Sequence, residues 1–257
     1  MIKVESLGVT IGNKKIIDDI SFSAANGENI SIIGPNGAGK TTLLKLIAGL
    51  IDCTGNILIE NKNIKEIGHI DRGTKISFIP QGSDIDGEFT VRSFVELSRF
   101  PYRKPWESIN SKDTELVENA IYMTECTEFA DREMGSLSGG EKQRVLIAGA
   151  IAQDCPVILL DEPLTYLDPV QRDKITKLID TISKKENRLV ITVTHEINEA
   201  LSFSSRILVM SQGRLVFDDV PEKLMVSNVL DAVFATEFMK IMNPVTGKMM
   251  YFPGGSK

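Results

Sequence analysis

A glycine-rich stretch at residues 34–42 has the residue types and the spacing that bind phosphate. It matches the pattern G-x-x-x-x-G-K-[S/T] at every fixed position. The glycines let backbone N–H groups surround a phosphate, Lys40 would reach the terminal phosphates, and the Thr41 hydroxyl would lie on Mg²⁺. The candidate phosphate-binding residues are Gly34, Pro35, Asn36, Gly37, Ala38, Gly39, Lys40, Thr41 and Thr42.

The segments on either side of this loop predict the context that the motif requires. Asn29–Ile33 is short, apolar and β-branched, which predicts a buried strand. Residues 42–50 predict a helix with an apolar face, and the positive end of its dipole would favour an anion. A glycine turn followed by a chance Lys-Thr is the alternative, and the two flanking segments argue against it.

Two carboxylates follow the apolar strand pattern of residues 157–160. Ligands of parallel sheets bind at the carboxyl ends of the strands, so Asp161 is placed to hold Mg²⁺. Glu162 is placed to act as a general base on an attacking water. A strand-end turn with two solvated acids is the alternative, and the nearby phosphate loop makes it the weaker one.

A second helix start could also approach a phosphate. Ser138 and Glu141 fit the capping box S-x-x-E at the start of a helical pattern. The capping box explains the start of the helix, but it does not explain Gly139 and Gly140. Those glycines would let a phosphate reach the exposed N–H groups of the first turn.

The remaining patterns predict an α/β fold with a mostly parallel sheet, an N-terminal antiparallel β-subdomain and a helical insert. Residues 90–152 carry helical patterns, including Leu116, Ala120 and Met123 at spacings of four and three. Residues 83–88 predict a loop, and residues 61–63 predict a turn. The predicted strands are 2–11, 16–24, 29–33, 55–60, 75–80, 157–160, 189–194, 207–210 and 215–217.

Composition excludes several classes of function. The chain has 257 residues and a net charge of −6, which argues against a general nucleic-acid binder. Three scattered cysteines and two histidines make a zinc site improbable. The longest apolar run, Val145–Ala152, is too short to span a bilayer, and the N-terminus has no signal-peptide pattern. We therefore expect a soluble, cytoplasmic chain; if it acts at a membrane, another subunit would hold it there.

The order of these motifs resembles that of ATP-binding cassette (ABC) ATPases over nearly the whole chain. The matching segments are the phosphate loop, Gln81, Leu137–Glu141, Leu159–Pro163, Leu167-Asp168 and Thr194-His195. The resemblance implies a P-loop NTPase fold, ATP and Mg²⁺ as cofactors, and a head-to-tail homodimer. Each ATP would lie between Lys40 of one subunit and Ser138, Gly139 and Gly140 of the other.

The resemblance also implies further roles. Gln81 would contact Mg²⁺ and report to a partner, Asp168 would cross the dimer interface, and His195 would contact the γ-phosphate. Ile11 stands where the family usually has an aromatic residue that stacks on adenine. By the same resemblance the chain is one domain, with core segments 1–82 and 156–220, a helical subdomain at 83–155 and a C-terminal extension at 221–257.

Residues 98–102 and 243–247 are similar to the iron–siderophore, haem and vitamin B12 branch of ABC importers. That branch usually has Gly-Arg-Tyr-Pro-aromatic, where this chain has Ser98 and Phe100 at the first and third positions. The implied function is ATP hydrolysis that drives uptake of a metal chelate through a separate permease at the cytoplasmic face of the membrane. A substrate-binding protein would deliver the chelate from outside. The alternative is a soluble ABC ATPase of iron–sulfur cluster assembly.

Overall fold

The computed structural model describes residues 2–82, 88–104, 106–244, 247 and 249–254. The strands are β1 (Ile2–Ile11), β2 (Lys14–Ala24), β3 (Asn29–Ile33), β4 (Thr54–Ile59), β5 (Lys62–Asn63), β6 (Ile76–Ile79), β7 (Val157–Asp161), β8 (Leu189–Val193), β9 (Arg206–Ser211), β10 (Arg214–Asp219), β11 (Phe238–Met242) and β12 (Met249–Pro253). The helices are α1 (Lys40–Ile47), α2 (His69–Gly73), α3 (Val91–Leu97), α4 (Ser111–Met123), α5 (Gly139–Ala152), α6 (Pro169–Lys185), α7 (Ile197–Phe203), α8 (Pro221–Val226) and α9 (Val229–Phe234).

The central sheet of the described chain has the strand order β10-β9-β3-β8-β7-β6. The strands from β9 to β6 are parallel, and β10 is antiparallel at one edge. Every residue of β3, β7 and β8 is buried, since both faces of the sheet are covered and the strands are continuous apolar runs. The N-terminal sheet is antiparallel, in the order β2-β1-β4-β5. The predicted fold class is confirmed.

The helices α3, α4 and α5 lie between β6 and β7 in the chain and form the predicted helical insert. In α4 the buried apolar face is made by Val117, Ala120 and Ile121, whereas Leu116 and Met123 are half-buried. The predicted helix is therefore confirmed, and Ala120 lies on its buried face as predicted, but Val117 and Ile121 take the places predicted for Leu116 and Met123. The buried face differs from the prediction because Val117 and Ile121, spaced four apart, turn towards the insert's own core.

Several predicted boundaries are wrong by a few residues. Helix α1 begins at Lys40 and ends at Ile47, because Gly39 caps its start and Gly49, at φ +68°, ends it. Strand β2 begins at Lys14, which pairs with Ile11 across the hairpin. The predicted turn at 61–63 is displaced, since residues 60 and 61 have positive φ values and residues 62 and 63 form β5.

The C-terminal segment packs α8, α9 and the β11–β12 hairpin beside α7 through a separate apolar cluster that includes Phe238 and Tyr251. None of the helices in the described part of the chain combines the length and the apolar character that crossing a bilayer requires. The predicted loop at 83–88 lies, except for residue 88, outside the described residues, as do Pro105 and residues 245 and 246. The division into segments at 83, 155 and 220 stays a prediction.

Candidate functional site

Four neighbouring parallel strands end at one edge of the central sheet and bring the predicted residues together. Strand β3 leads into the phosphate loop, β8 is followed by His195, β7 ends at Asp161 before Glu162, and β6 is followed by Gln81. A cavity of about 520 Å³ opens at this edge. Its lining residues are Lys14, Ile16, Asn36, Gly37, Gly39, Lys40, Thr41, Thr42, Gln81, Glu162 and His195.

The phosphate loop needs glycines where its backbone packs closely against a neighbouring strand and where the chain turns with positive φ. A Cβ at Gly34 would lie 2.2 Å from the carbonyl oxygen of Met210, so only glycine fits there. Gly37 and Gly39 have φ values of +78° and +99°, which other residues rarely adopt. The resulting loop opens into α1, and because the first N–H groups of a helix have no partner within it, they can bind an anion.

Lys40 is buried inside this loop. Its ammonium donates hydrogen bonds to the carbonyl oxygens of Gly34 at 2.7 Å and Pro35 at 3.1 Å. Burial lowers the pKa of Lys40, and the nearby charges of Glu162 and Asp161 oppose that shift. The loop therefore holds a cation in the cavity at the position where a phosphate would come.

Thr41, which lines the cavity, and Asp161, which is buried just behind it, form a pair that suits a metal ion. The Thr41 hydroxyl donates to Asp161 Oδ1 at 3.1 Å. Within the described residues, Asp161 Oδ2 is buried and has no hydrogen-bond partner. Burial raises the pKa of Asp161, so the carboxylate is unfavourable without a cation beside it. Carboxylate and hydroxyl oxygens are the ligands that Mg²⁺ prefers, and these residues fit that ion.

Glu162 lies between two polar side chains from the neighbouring strands. Gln81 Nε2 donates to Glu162 Oε2 at 2.6 Å, and His195 Nε2 contacts the other carboxylate oxygen, Oε1. The backbone of Glu162 has φ +54°, and its N–H donates to the Val193 carbonyl at 2.9 Å. The three predicted residues meet at one carboxylate, which faces the cavity beside the phosphate loop.

The second predicted anion site lies in a different cleft. The Ser138 hydroxyl accepts from the Glu141 N–H, and Glu141 Oε2 accepts from the Ser138 N–H at 2.8 Å, so the capping box is confirmed. The Ser138 N–H and the Ser138 hydroxyl both donate to Glu141 Oε2, and these two hydrogen bonds hold the pKa of Glu141 below its usual value. The cavity here is about 480 Å³, and among the described residues it shares no lining residue with the first cavity. Its lining residues are Ser138, Gly139, Gly140, Glu141, Arg144, Tyr166, Leu167, Asp168 and Gln171.

Asp168 has a local partner in this structure. Its carboxylate accepts from the N–H groups of Val170 and Gln171 at 2.8 and 2.9 Å, which caps α6. It also lines the cleft of Ser138. Its predicted role across an interface stays a prediction.

Five residues that line the clefts are not singled out by the sequence patterns: Lys14, Ile16, Arg144, Tyr166 and Gln171. Lys14 and Ile16 lie at the start of β2 and line the phosphate-loop cavity, and their alternation along one strand face is the signal that could have found them. Tyr166 has a backbone φ of +69°, and its side chain lies against Gly139. Ile11 is 54% exposed at the end of β1 and pairs with Lys14. The predicted contact of Ile11 with adenine stays a prediction.

Comparisons with known proteins agree with this geometry. A family model described as ABC transporter matches residues 17–165, more than half of the chain. The iron(3+)-hydroxamate import ATP-binding protein FhuC of Bacillus subtilis (strain 168) is 31% identical over 248 residues, which cover 96% of this chain and 92% of the relative.

Two solved structures extend the likeness to three dimensions. A chain of an inward-facing structure, assigned to the metal-chelate type of ABC transporter, has a TM-score of 0.85 at 26% identity, over 99% of this chain and 97% of that chain. A dimeric ATP-binding cassette in a post-hydrolysis state, bound to ADP and phosphate, has a TM-score of 0.78 at 29% identity, over 86% of this chain and 99% of that chain. The chain belongs to the ABC transporter family and is one of its ATP-hydrolysing cassettes.

Proposed function

We propose that this chain is the ATP-hydrolysing subunit of an importer that takes up a metal chelate through a separate permease, and that it works as a head-to-tail homodimer. The observation that carries the dimer is the separation of the phosphate loop and Ser138 into two clefts of one chain. A second copy, turned head to tail, would bring the Ser138 cleft of one subunit over the phosphate loop of the other.

In each composite site the phosphate loop would bind ATP. Lys40 would exchange its two carbonyl partners for the β- and γ-phosphates, which removes the cost of its desolvated charge. Thr41, Asp161 and Gln81 would hold Mg²⁺, and the free Oδ2 atom of Asp161 is the observation that supports this set. Bound Mg²⁺ would neutralise charge that develops on the phosphates.

Hydrolysis would use Glu162 as the general base. Its carboxylate accepts the proton of a water whose oxygen attacks the γ-phosphorus, and the bond from that phosphorus to the bridging oxygen of ADP breaks. Gln81 and His195 hold the two carboxylate oxygens in place, and His195 is 43% exposed and open to the γ-phosphate. From the second subunit, the Ser138 hydroxyl and the N–H groups of Gly139 and Gly140 would bind the γ-phosphate.

The permease would bind at an exposed apolar surface on the helical insert. Leu97, the last residue of α3, is 53% exposed, and Phe100, which follows α3, is 55% exposed. Ile70, which is 60% exposed on the neighbouring α2, adds to this surface, because Pro101 packs against Gly73. We call Ile70, Leu97 and Phe100 the docking surface. The permease would keep the chain at the cytoplasmic face of the membrane.

The metal-chelate class is supported by the iron(3+)-hydroxamate import relative and by the metal-chelate type neighbour. The iron–sulfur assembly alternative has no comparable support. Uptake by cells with and without the chain tests the proposal, using radioactive iron–siderophore, haem and cobalamin as probes. We expect deletion to abolish uptake of at least one probe, the parent chain to restore it, and Glu162→Gln to fail. Unchanged uptake of all three probes would contradict this cargo class.

A variant of the docking surface tests the permease partner separately. Phe100→Asp places a charge on the docking surface and should abolish uptake while ATP hydrolysis by the isolated chain persists. Val226→Asp is the matched control, because Val226 is 84% exposed on α8, outside the docking surface. Equal loss of uptake in both variants would argue against a docking role for Phe100.

A further inference from the structure

Arg99 lies inside the segment that resembles the importer branch, but it is not part of the exposed surface. Its side chain is 4% exposed, and Nε donates to Asp113 Oδ1 at 2.8 Å. The Asp113 side chain is 3% exposed. Burying two charges carries a large desolvation cost, so the ion pair alone is weak evidence for a role in stability. The other hydrogen bonds of Arg99 therefore indicate its role.

The other hydrogen bonds of Arg99 go to the end of the helix that begins after Ser138. Nη1 donates to the carbonyl oxygens of Ala152 and Gln153, each at 2.9 Å. These carbonyls close α5, where a helix lacks internal donors and carries partial negative charge. Asp113 lies in the first turn of α4, where a negative charge is favoured. One guanidinium therefore joins the C-terminal end of α5 to the N-terminal end of α4.

The same group joins the helical insert to the central sheet. The guanidinium carbon of Arg99 lies 4.0 Å from the ring centre of Tyr102. The Tyr102 hydroxyl lies 3.2 Å from the Asp154 carbonyl oxygen and 3.3 Å from that of Thr74. Next along the chain from Ala152, Gln153 Nε2 donates to the carbonyls of Gly73 at 2.7 Å and Ile76 at 3.2 Å. Ile76 begins β6, the strand that leads to Gln81.

We propose that Arg99 is a positioning residue for ATP hydrolysis. It fixes α5, and with it the cleft of Ser138, relative to β6 and to the docking surface, so that the cleft meets the phosphate loop of the second subunit in the correct position. This inference rests on the proposed composite site. It assigns Arg99 no contact with nucleotide, since its polar contacts lie at the far end of α5 from Ser138.

A double variant separates positioning from folding. Arg99→Met with Asp113→Leu replaces the ion pair by apolar side chains of similar volume, an exchange that folded proteins often tolerate. The matched control is Arg92→Met with Glu118→Leu, because Arg92 lies on α3, the helix just before Arg99 in the chain, and pairs with Glu118 of α4. Arg92 is 33% exposed, and its side-chain ion pairs, with Glu118 and Asp131, stay within the insert.

The measurements are the dissociation constant of a fluorescent ATP analogue for the monomeric chain, and kcat and KM for ATP hydrolysis, with thermal unfolding as the test of folding. We expect the Arg99/Asp113 variant to bind the analogue within about twofold of the parent and to lose about tenfold or more in kcat. The Arg92/Glu118 control should stay within about twofold in both quantities. General destabilisation would not lower kcat in the Arg99/Asp113 variant while leaving its affinity for the analogue unchanged.

Two results would overturn the inference. One is a folded Arg99/Asp113 variant whose kcat matches that of the parent. The other is an equal loss of kcat in both double variants, since that would assign the effect to the insert as a whole. A separate variant tests the composite site on which this inference rests. If the site is not shared between subunits, Ser138→Arg, introduced alone into the parent chain, would leave ATP hydrolysis intact.

Discussion

Glu162→Gln is the substitution that most directly tests the chemistry of the site. The amide keeps the shape of the side chain, and its oxygen can still accept the hydrogen bond that Gln81 Nε2 donates to Glu162 at 2.6 Å. The amide nitrogen would then face His195, whose ring can present an unprotonated nitrogen to it. The fold and the position of the side chain should therefore survive, whereas the amide cannot take a proton from water.

The expected loss follows from that chemistry. A positioned general base contributes about 10²- to 10⁴-fold to a rate, which corresponds to about 3–5 kcal/mol of activation free energy. ATP binding should be retained or become tighter, because the substitution removes a negative charge from a cavity that must accept phosphates. The variant should also accumulate as an ATP-bound dimer, because closure no longer ends in hydrolysis.

The assay is steady-state phosphate release together with size-exclusion chromatography in ATP and Mg²⁺. Glu196→Gln is the matched control, because Glu196 lies two residues after Thr194, pairs with Arg172 at 3.3 Å and has a side chain that is 56% exposed. The loss of such a surface pair costs about 0–1 kcal/mol, and turnover should stay within about twofold of the parent. Phosphate release near the parent rate in Glu162→Gln would refute the assignment of the base.

Three further predictions test the phosphate, metal and adenine contacts. Ser138→Arg should still bind ATP as a monomer but fail to dimerise or to hydrolyse ATP, whereas Lys40→Ala should weaken ATP binding directly. Nucleotide titration measures binding, and light scattering measures dimerisation. Loss of ATP binding by monomeric Ser138→Arg would argue against a site shared between subunits. Asp161→Asn should abolish Mg²⁺-dependent hydrolysis yet raise the melting temperature of the nucleotide-free chain. Because burial raises the pKa of Asp161, the parent chain loses stability as the pH rises above 3.8, the ordinary pKa of an aspartate. In thermal melts, the difference in melting temperature between Asp161→Asn and the parent should therefore grow as the pH rises above that value. Ile11→Tyr should tighten ATP binding by up to about tenfold, or about 1.4 kcal/mol, through ring stacking; unchanged ATP and GTP titrations would place Ile11 away from the base.

Much of the geometry of the phosphate loop could be predicted from the sequence because its determinants are local. Gly34, Lys40 and Thr41 follow one another along the chain, and the strand before them and the helix after them carry their own patterns. The sequence predicts Asp161 and Glu162 in the same way, as carboxylates at the end of an apolar strand and just after it. Each of these features survives in the structure because the backbone of one segment determines it.

The sequence could not predict contacts that depend on how distant segments pack. No pattern in the segment around Arg99 predicts that this arginine is buried, because its burial follows only from the packing of α4 and the end of α5 around it. Lys14 and Ile16 likewise line the cavity only because the N-terminal sheet brings the start of β2 beside the phosphate loop. Such placements are set by tertiary packing, which a pattern within one segment does not record.

The charges of the phosphate-loop cavity indicate how nucleotide would enter it. Asp161 and Glu162 lie close enough to the buried cation Lys40 to act on its pKa, and Lys14 adds a second cation to the lining of the cavity. ATP alone would bring four more negative charges to this cavity, so the helix dipole and loop N–H groups would work against two carboxylates. The orphan oxygen of Asp161 offers a place for the divalent ion that offsets this repulsion. We therefore infer that nucleotide enters with its metal ion, and that removal of either carboxylate charge weakens the dependence of nucleotide affinity on Mg²⁺.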